Sequence, residues 1–384
     1  MANQNIRTPR FYPCLINFLL SRGVAQDGNF DVTATGGSGA TATRGIQNGS
    51  EAELFDMRPL NKVDFDTSGD TDSQVLITID TQDASGNKDY IAILNHNLNS
   101  AAGKIRIFAG NVASDVASVD GTAAETADID WSEYTVTEIV NADIITPTDI
   151  SDVSYDDKSC VIEPAKDGST IFTIRKTSDD SATNLRYWGI QFEGATNDGE
   201  PDDHDGTFHA STDLYIGGIM IGEYYDMPHA PDLAVKRSIE FENKIQQSLG
   251  GQRYSSMVSH GRQATSTTLS PFVQHLEVGV DVGKNYRVYG GRLVYDMQFS
   301  YLRASDVMPD EYHTTRLAYD AVVEDIWNIT GGSHIPFIFS IDNTSAGDAA
   351  ESEHIFARFS QRSLDMSQIA NDVWNVKFRI SEEF

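Results

Sequence analysis

The residues best placed to do chemistry are carboxylates. In DFDTSGDTD, Asp64, Asp66, Ser68 and Asp70 stand at the opening spacing of a calcium loop, with Gly69 at the sharp-turn position. Such a loop closes with a bidentate Glu at its twelfth position, and here that position is Val75. A second cluster, EPDDHDGTFHASTD, brings Asp202, Asp203, His204, Asp205, His209 and Asp213 close in sequence as oxygen or imidazole donors. In a chain with 57 acidic residues, carboxylates crowd solvated loop tips by chance. The expectation is therefore no cofactor, with calcium at the first loop as the weaker alternative. Stacking on a sugar ring would fall to aromatic side chains, and Trp131 and Trp188 are the candidates, with Tyr187 beside them.

Other chemistry lacks its signature. The chain has no HExxH, no Walker loop, no GxSxG and no GxGxxG. TGGSGAT at Thr35 is glycine-rich but lacks the lysine of a phosphate loop. Cys14 and Cys160 are the only cysteines, too few for a disulfide framework or a zinc site, and read as buried free thiols. A non-enzymatic protein is the expectation.

The net charge of −29 disfavours specific nucleic-acid binding, because such a surface repels phosphate. It suits a saline setting, where salt screens self-repulsion. The apolar run Cys14–Leu20 is too short to span a membrane and is a poor export signal. No membrane insertion and synthesis in the cytoplasm are expected.

The elements that must carry these residues are mainly strands. QVLITID (Gln74–Asp80), YIAILNH (Tyr90–His96) and KIRIFAG (Lys104–Gly110) are short apolar runs between Gly/Asp/Asn turns. WSEYTVTEIV, STIFTIRK, RYWGIQFEG and DLYIGGIMIGEYY continue the pattern to residue 225, and predict an antiparallel sandwich. FYPCLINFLLSRG reads as a short helix ending at Gly23, and Gly28–Gly45 as a flexible arm or a strand-loop element. The two prolines of MPHAPDL mark a boundary near residues 225–232.

Beyond it, Asp310–Thr330 carries Leu317, Ala321, Val322 and Ile326 at helical spacing, and Gly331-Gly332 can stop that helix. Strands are expected at HIPFIFSID and EHIFARFSQRS. In the last segment Trp374, Val376, Phe378 and Ile380 alternate with Asn375, Lys377 and Arg379.

Several phrases carry a resemblance: IRTPRFYPCLINFLLSRG, YIAILNHNLNSAAGKIRIF, IGGIMIGEYYDMPHAPDL, and GGSHIPFIFSIDNT followed by FARFSQRSLDMSQIANDVWNVKFRISEEF. In order along the chain they resemble minor tail structural proteins of tailed bacteriophages and archaeal viruses. The C-terminal strands-helix-strands pattern is similar to the tail-tube fold of distal tail proteins. ILNHNL resembles a discoidin-like, galactose-binding-type jelly roll.

The resemblance implies a tail-tube-like ring domain with one helix from residues 1–70 and 226–384, and an inserted peripheral β-sandwich at 71–225. In distal tail proteins the second sandwich follows the ring domain, whereas here it interrupts it. A distal-tail-like ring is implied, a homo-oligomer and a hexamer by analogy, joining tail tube to baseplate or fibre proteins in the virion tail. Trp374, Val376, Phe378 and Ile380, on a terminal strand, are the expected assembly residues. The alternative is a carbohydrate-binding module for a host surface glycan, and a polysaccharide-cleaving enzyme ranks behind both.

Overall fold

The computed structural model of the chain describes residues 7–35, 45–68, 74–82, 87–117, 128–145, 158–196, 206–240, 243–257, 292–308, 321–347 and 350–383. The fold is mainly β, built from antiparallel sheets, as the turn-punctuated runs predict. Numbered in chain order, its strands fall into two large assemblies. The first is a sandwich. Its six-stranded sheet runs β2 (Phe30–Thr35), β5 (Gln74–Asp80), β12 (Tyr187–Gly194), β7 (Gly103–Gly110), β10 (Cys160–Glu163), β9 (Asp143–Ile145). The facing four-stranded sheet runs β14 (Gly218–Gly222), β6 (Tyr90–His96), β11 (Gly168–Lys176), β8 (Tyr134–Val140). Ile77, Ile107 and Ile190 from the first sheet meet Ile91, Ile93 and Phe172 from the second in one buried core. A small sheet of β3 (Ile46–Asn48), β4 (Val63–Phe65) and β13 (Leu214–Ile216) closes one side.

The second assembly is a large sheet. Its order is β15 (Tyr225–Asp226), β1 (Arg10–Pro13), β20 (Phe337–Ser340), β21 (His354–Phe359), β23 (Val373–Glu382), β19 (Arg292–Leu302), β16 (Lys236–Glu240), with β22 (Met366–Ala370) also on β23. Phe11, Phe337, Phe339, Phe359 and Phe378 form its aromatic core, with ring centroids 4.7–6.2 Å apart. Strands β17 (Asn243–Gln247) and β18 (Arg253–Met257) form a ribbon that, among the described residues, pairs with neither assembly.

The assemblies share a wall. Because strand side chains alternate faces, Phe11 of β1 enters the aromatic core while Tyr12 enters the sandwich core. Ile338 against Phe337 and Phe339, and Phe356 against Ile355 and Ala357, divide in the same way. These strands are buried on both faces, which is why FYP, FIF and IFA read as continuous apolar runs.

Several expectations are corrected. The boundary expected at residue 70 fails: β2 pairs with β5, β4 pairs with β13, and Phe30, Leu54, Phe55, Val63 and Phe65 lie in the sandwich core. Among the described residues, those of 14–65 therefore belong with those of 74–222, and of the N-terminal stretch only Arg10–Pro13 joins the large sheet. The Asp-rich stretch near residue 70 follows a strand of a sheet, although its composition resembles that of a linker. The first helix is shorter than expected, Leu15–Ser21, because Arg10–Pro13 is a strand. Pro13 is tolerated there since β15 ends opposite Phe11, leaving no partner on that side for the missing N–H.

Of the helix expected at Asp310–Thr330, residues 309–320 lie outside the described residues. Ala321 is extended, and Val322–Asn328 form a π-helical turn, with the Asp325 carboxylate accepting the Ala321 N–H at 2.7 Å. Gly331 and Gly332 stop it with φ of 58° and 66°, as the paired glycines predict. The following strand begins at Phe337, three residues later than the expected His334.

Candidate functional site

Two regions stand out, and neither centres on the residues that sequence reasoning singled out. The first is the edge of the large sheet at β16. Among the described residues strand β16 pairs only with β19, and its Lys236, Arg237, Ile239 and Glu240 are exposed. The ribbon turns back at Ser248–Gly251, where the Gly251 N–H donates to Ser248 O and Gly251 takes φ +83°. Ile245 and Tyr254 on its strands are 64% and 58% exposed, and Leu249 at its tip is wholly exposed. Residues 233–257 carry four basic residues, Lys236, Arg237, Lys244 and Arg253, against Glu240 and Glu242. The segment is thus positive in a chain of net charge −29.

The second region is the seam. Arg10 forks onto Asp226, its register partner on β15, at 2.6 and 2.7 Å, and Asn343 Nδ2 donates to the same carboxylate at 3.1 Å. The Arg10 guanidinium lies 3.9 Å from the Tyr224 ring centroid, and that of Arg175 lies 4.6 Å from it. Arg175 reaches Asp89 Oδ2 at 2.8 Å and donates to the Tyr224 hydroxyl and to Asp180 O, each at 3.0 Å. Asp89 is fully buried and also accepts the Tyr224 backbone N–H at 2.7 Å. Burial drives its carboxyl well above the usual carboxylate range, while Arg175 and that N–H pull it back.

Deeper in the seam, the His354 ring nitrogen Nδ1 faces Ala350 O at 2.9 Å, so it carries the proton, and Nε2 lies 3.4 Å from the Tyr12 hydroxyl. Burial lowers His354 to about 4. Above the seam, a cleft of about 430 Å3 opens between β8, β11 and the turn at residues 343–346.

The sequence-selected residues fall elsewhere. Asp64 Oδ2 accepts from Asn48 Nδ2 at 3.2 Å. Asp66 follows β4, and the Thr67 and Ser68 N–H groups donate to Asp213 Oδ1 at 3.2 and 2.8 Å. In the described part of this loop the Asp213 carboxylate binds backbone donors. Asp70, Asp202, Asp203, His204, Asp205 and the TGGSGAT loop beyond Thr35 lie outside the described residues. His209 Nδ1 accepts from Ser211 N at 3.3 Å. Among the described residues no three His, Cys, Asp or Glu side chains gather as a metal set.

The two tryptophans are not surface aromatics. Trp131 is 3% exposed and Trp188 0%, with Trp188 Nε1 donating to Leu185 O at 3.1 Å. Both pack in the sandwich core, so neither offers a face to a sugar. The expected assembly strand is likewise corrected. Val376, Phe378 and Ile380 are buried in the aromatic core with Trp374 packed against it, as their alternation requires. Strand β23 is internal, paired with β19 on one side and with β21 and β22 on the other. Between those two, Gln361 and Ser360 take up the Lys377 and Arg379 backbone groups, so no edge is left.

Cys14 and Cys160 are free and buried, as expected, and burial raises their thiols to about 11 and about 12. No helix among the described residues is long and apolar enough to cross a membrane. The signal for the open edge was NKIQQ and QRYSS flanking a Gly-Gly turn in a basic stretch. The seam had no such signal, because Arg10, Asp89, Arg175 and Tyr224 are far apart in sequence. No family model, curated protein or solved structure matches the chain.

Proposed function

We propose that the chain is a non-enzymatic structural protein whose copies close into a ring. The ring would be of the kind that a tailed virus places at the distal end of its tail tube, joining it to baseplate or fibre proteins. The observation that carries this reading is the edge at β16: among the described residues it is unpaired on one side, and it is followed by a ribbon with Ile245, Leu249 and Tyr254 in water. An isolated two-stranded ribbon is marginal on its own in water. An unpaired strand that ends in an exposed apolar ribbon gains most by adding to a neighbouring chain. Charge supports identical neighbours, because a positive ribbon suits the acidic remainder of a second copy.

In this reading the large sheet belongs to the ring and the first sandwich faces outward. An acidic lumen would let DNA pass without sticking. The resemblance of the terminal phrases to minor tail proteins supports the viral setting, with assembly in the host cytoplasm. The alternative of a glycan-binding module resting on Trp131 and Trp188 loses its residues to the core.

The test is negative-stain microscopy of the purified chain in high salt, with its mass measured on the same sample. Closed rings with a central hole are expected, hexameric by the tail analogy. A monodisperse monomer at every concentration and salt would overturn self-assembly.

A further inference from the structure

The seam cleft, at about 430 Å3, has the size of a small-molecule site. Its polar groups are unevenly matched, and the mismatch starts at Arg10, which lines it. A guanidinium carries five N–H donors, with one fork along Nε and Nη2 and a second across the two Nη ends. Asp226 occupies the first fork of Arg10, at 2.6 and 2.7 Å. The second fork and one further Nη1 N–H, three donors in all, have no partner among the described residues.

Arg175 bonds the Tyr224 hydroxyl and Asp180 O and pairs with Asp89, which leaves it two N–H donors. Lys176 meets Glu133 at 3.2 Å and keeps two of its three ammonium donors. Against these donors the described lining sets a single carboxylate, Asp180. On the facing wall Ser345 Oγ is buried and has no hydrogen-bond partner among the described residues. A buried hydroxyl left unsatisfied is costly unless something that enters the cleft completes it.

A surplus of donors suits a ligand group that only accepts, and a carboxylate is the planar acceptor whose two oxygens match a guanidinium fork. Charge limits how negative that ligand can be. Arg10, Arg175 and Lys176 already stand beside Asp226, Asp89 and Glu133, and Asp180 adds a further negative group. A single negative charge is therefore tolerated better than the two of a phosphate dianion. Ile139 and Ala346 supply apolar wall for a hydrocarbon chain.

We propose that this cleft binds a small organic monocarboxylate. The free Arg10 fork takes its two oxygens, Arg175 and Ser345 donate to the same group, and Lys176 adds positive charge beside it. The inference does not depend on ring formation, which is measured separately.

The test is calorimetric titration of the full chain with sodium acetate, butyrate and hexanoate, and with sodium phosphate, all at one ionic strength. Arg10→Lys keeps the charge and removes the fork, and Ser345→Ala removes one hydroxyl at nearly constant volume. Their unfolding midpoints serve as the folding check, and if Arg10→Lys does not fold, Ser345→Ala decides. The expected result is saturable carboxylate binding, tighter for hexanoate than for acetate, weakened roughly tenfold in Arg10→Lys and several-fold in Ser345→Ala. No saturable binding of any carboxylate would overturn the proposal. So would phosphate binding tighter than every carboxylate, or carboxylate binding that neither substitution alters.

Discussion

The two ends of the large sheet are built from the same backbone pattern and meet opposite surroundings. At one end β1, β20 and β21 are buried on both faces, with Phe11, Phe337 and Phe339 on one side and Tyr12, Ile338 and Phe356 on the other. At the other end β16 is exposed on both faces and leads into a ribbon with three large apolar side chains in water. The first end has both faces of its strands packed in cores, and the second has little to stabilise it alone. On the proposed reading, stability and assembly fall to different edges of one sheet, so a substitution at either end should affect one property and spare the other.

The largest effect is expected at the buried end. Phe339→Ala removes a ring that packs on Phe11 at 5.1 Å and Tyr295 at 5.5 Å, and should cost about 3–5 kcal/mol. Denaturant unfolding measures it, and a loss under about 1 kcal/mol would show a wall that relaxes around the cavity.

A smaller effect comes from His354 in the same wall. Its ordinary value is 6.5 and the folded ring sits at about 4. Between these values the unfolded chain takes up a proton that the folded chain refuses. Stability from this group is therefore intact above pH 6.5 and falls as pH drops towards 4, by about 3 kcal/mol in all. Unfolding curves from pH 7 to 4 should be flatter in His354→Gln, and identical slopes in the two proteins would refute the assignment.

The smallest effect on stability is expected at the open end, although there the effect on assembly is complete. Ile245→Ser combined with Leu249→Ser touches neither core, so the monomer midpoint should move within about 0.5 kcal/mol. The same pair should abolish rings in the microscope. Rings that persist would move the contact away from the ribbon.

What the sequence revealed follows the same division. Strands buried on one or both faces announce themselves as apolar runs between turn residues, and Gln74–Asp80 and Tyr90–His96 were legible to the residue. The alternation of Val376, Phe378 and Ile380 correctly gave a strand with one apolar face. It could not say whether that face met a core or a neighbour, because periodicity records amphipathicity and not what covers it.

Trp131 and Trp188 misled for the same reason, since a core tryptophan and a sugar platform look alike in one dimension. The boundary at residue 70 was misplaced because Asp and Gly are as common in loops between strands of one core as in linkers between domains. The seam is least legible of all: Arg10 meets Asp226 and Tyr224 only because β1 is placed beside β15. A guanidinium's partners are set by the register of strands hundreds of residues apart.

The position of β1 also sets the order in which the molecule can be made. Phe11 pairs with Phe339 and Tyr12 with Ile338, across more than three hundred residues of chain. During synthesis the sandwich strands up to Gly222 can pair as they emerge and β15 can meet β1 directly after them, while the β20 side of Arg10–Pro13 stays open until residue 337 is made. Until then Phe11 has no aromatic core to enter, and the half-made wall exposes apolar surface to other nascent chains. Contacts of such long sequence separation close slowly. The aromatic face of β1 is thus completed only after residue 337 is made, although its pairing with β15 is available more than a hundred residues earlier.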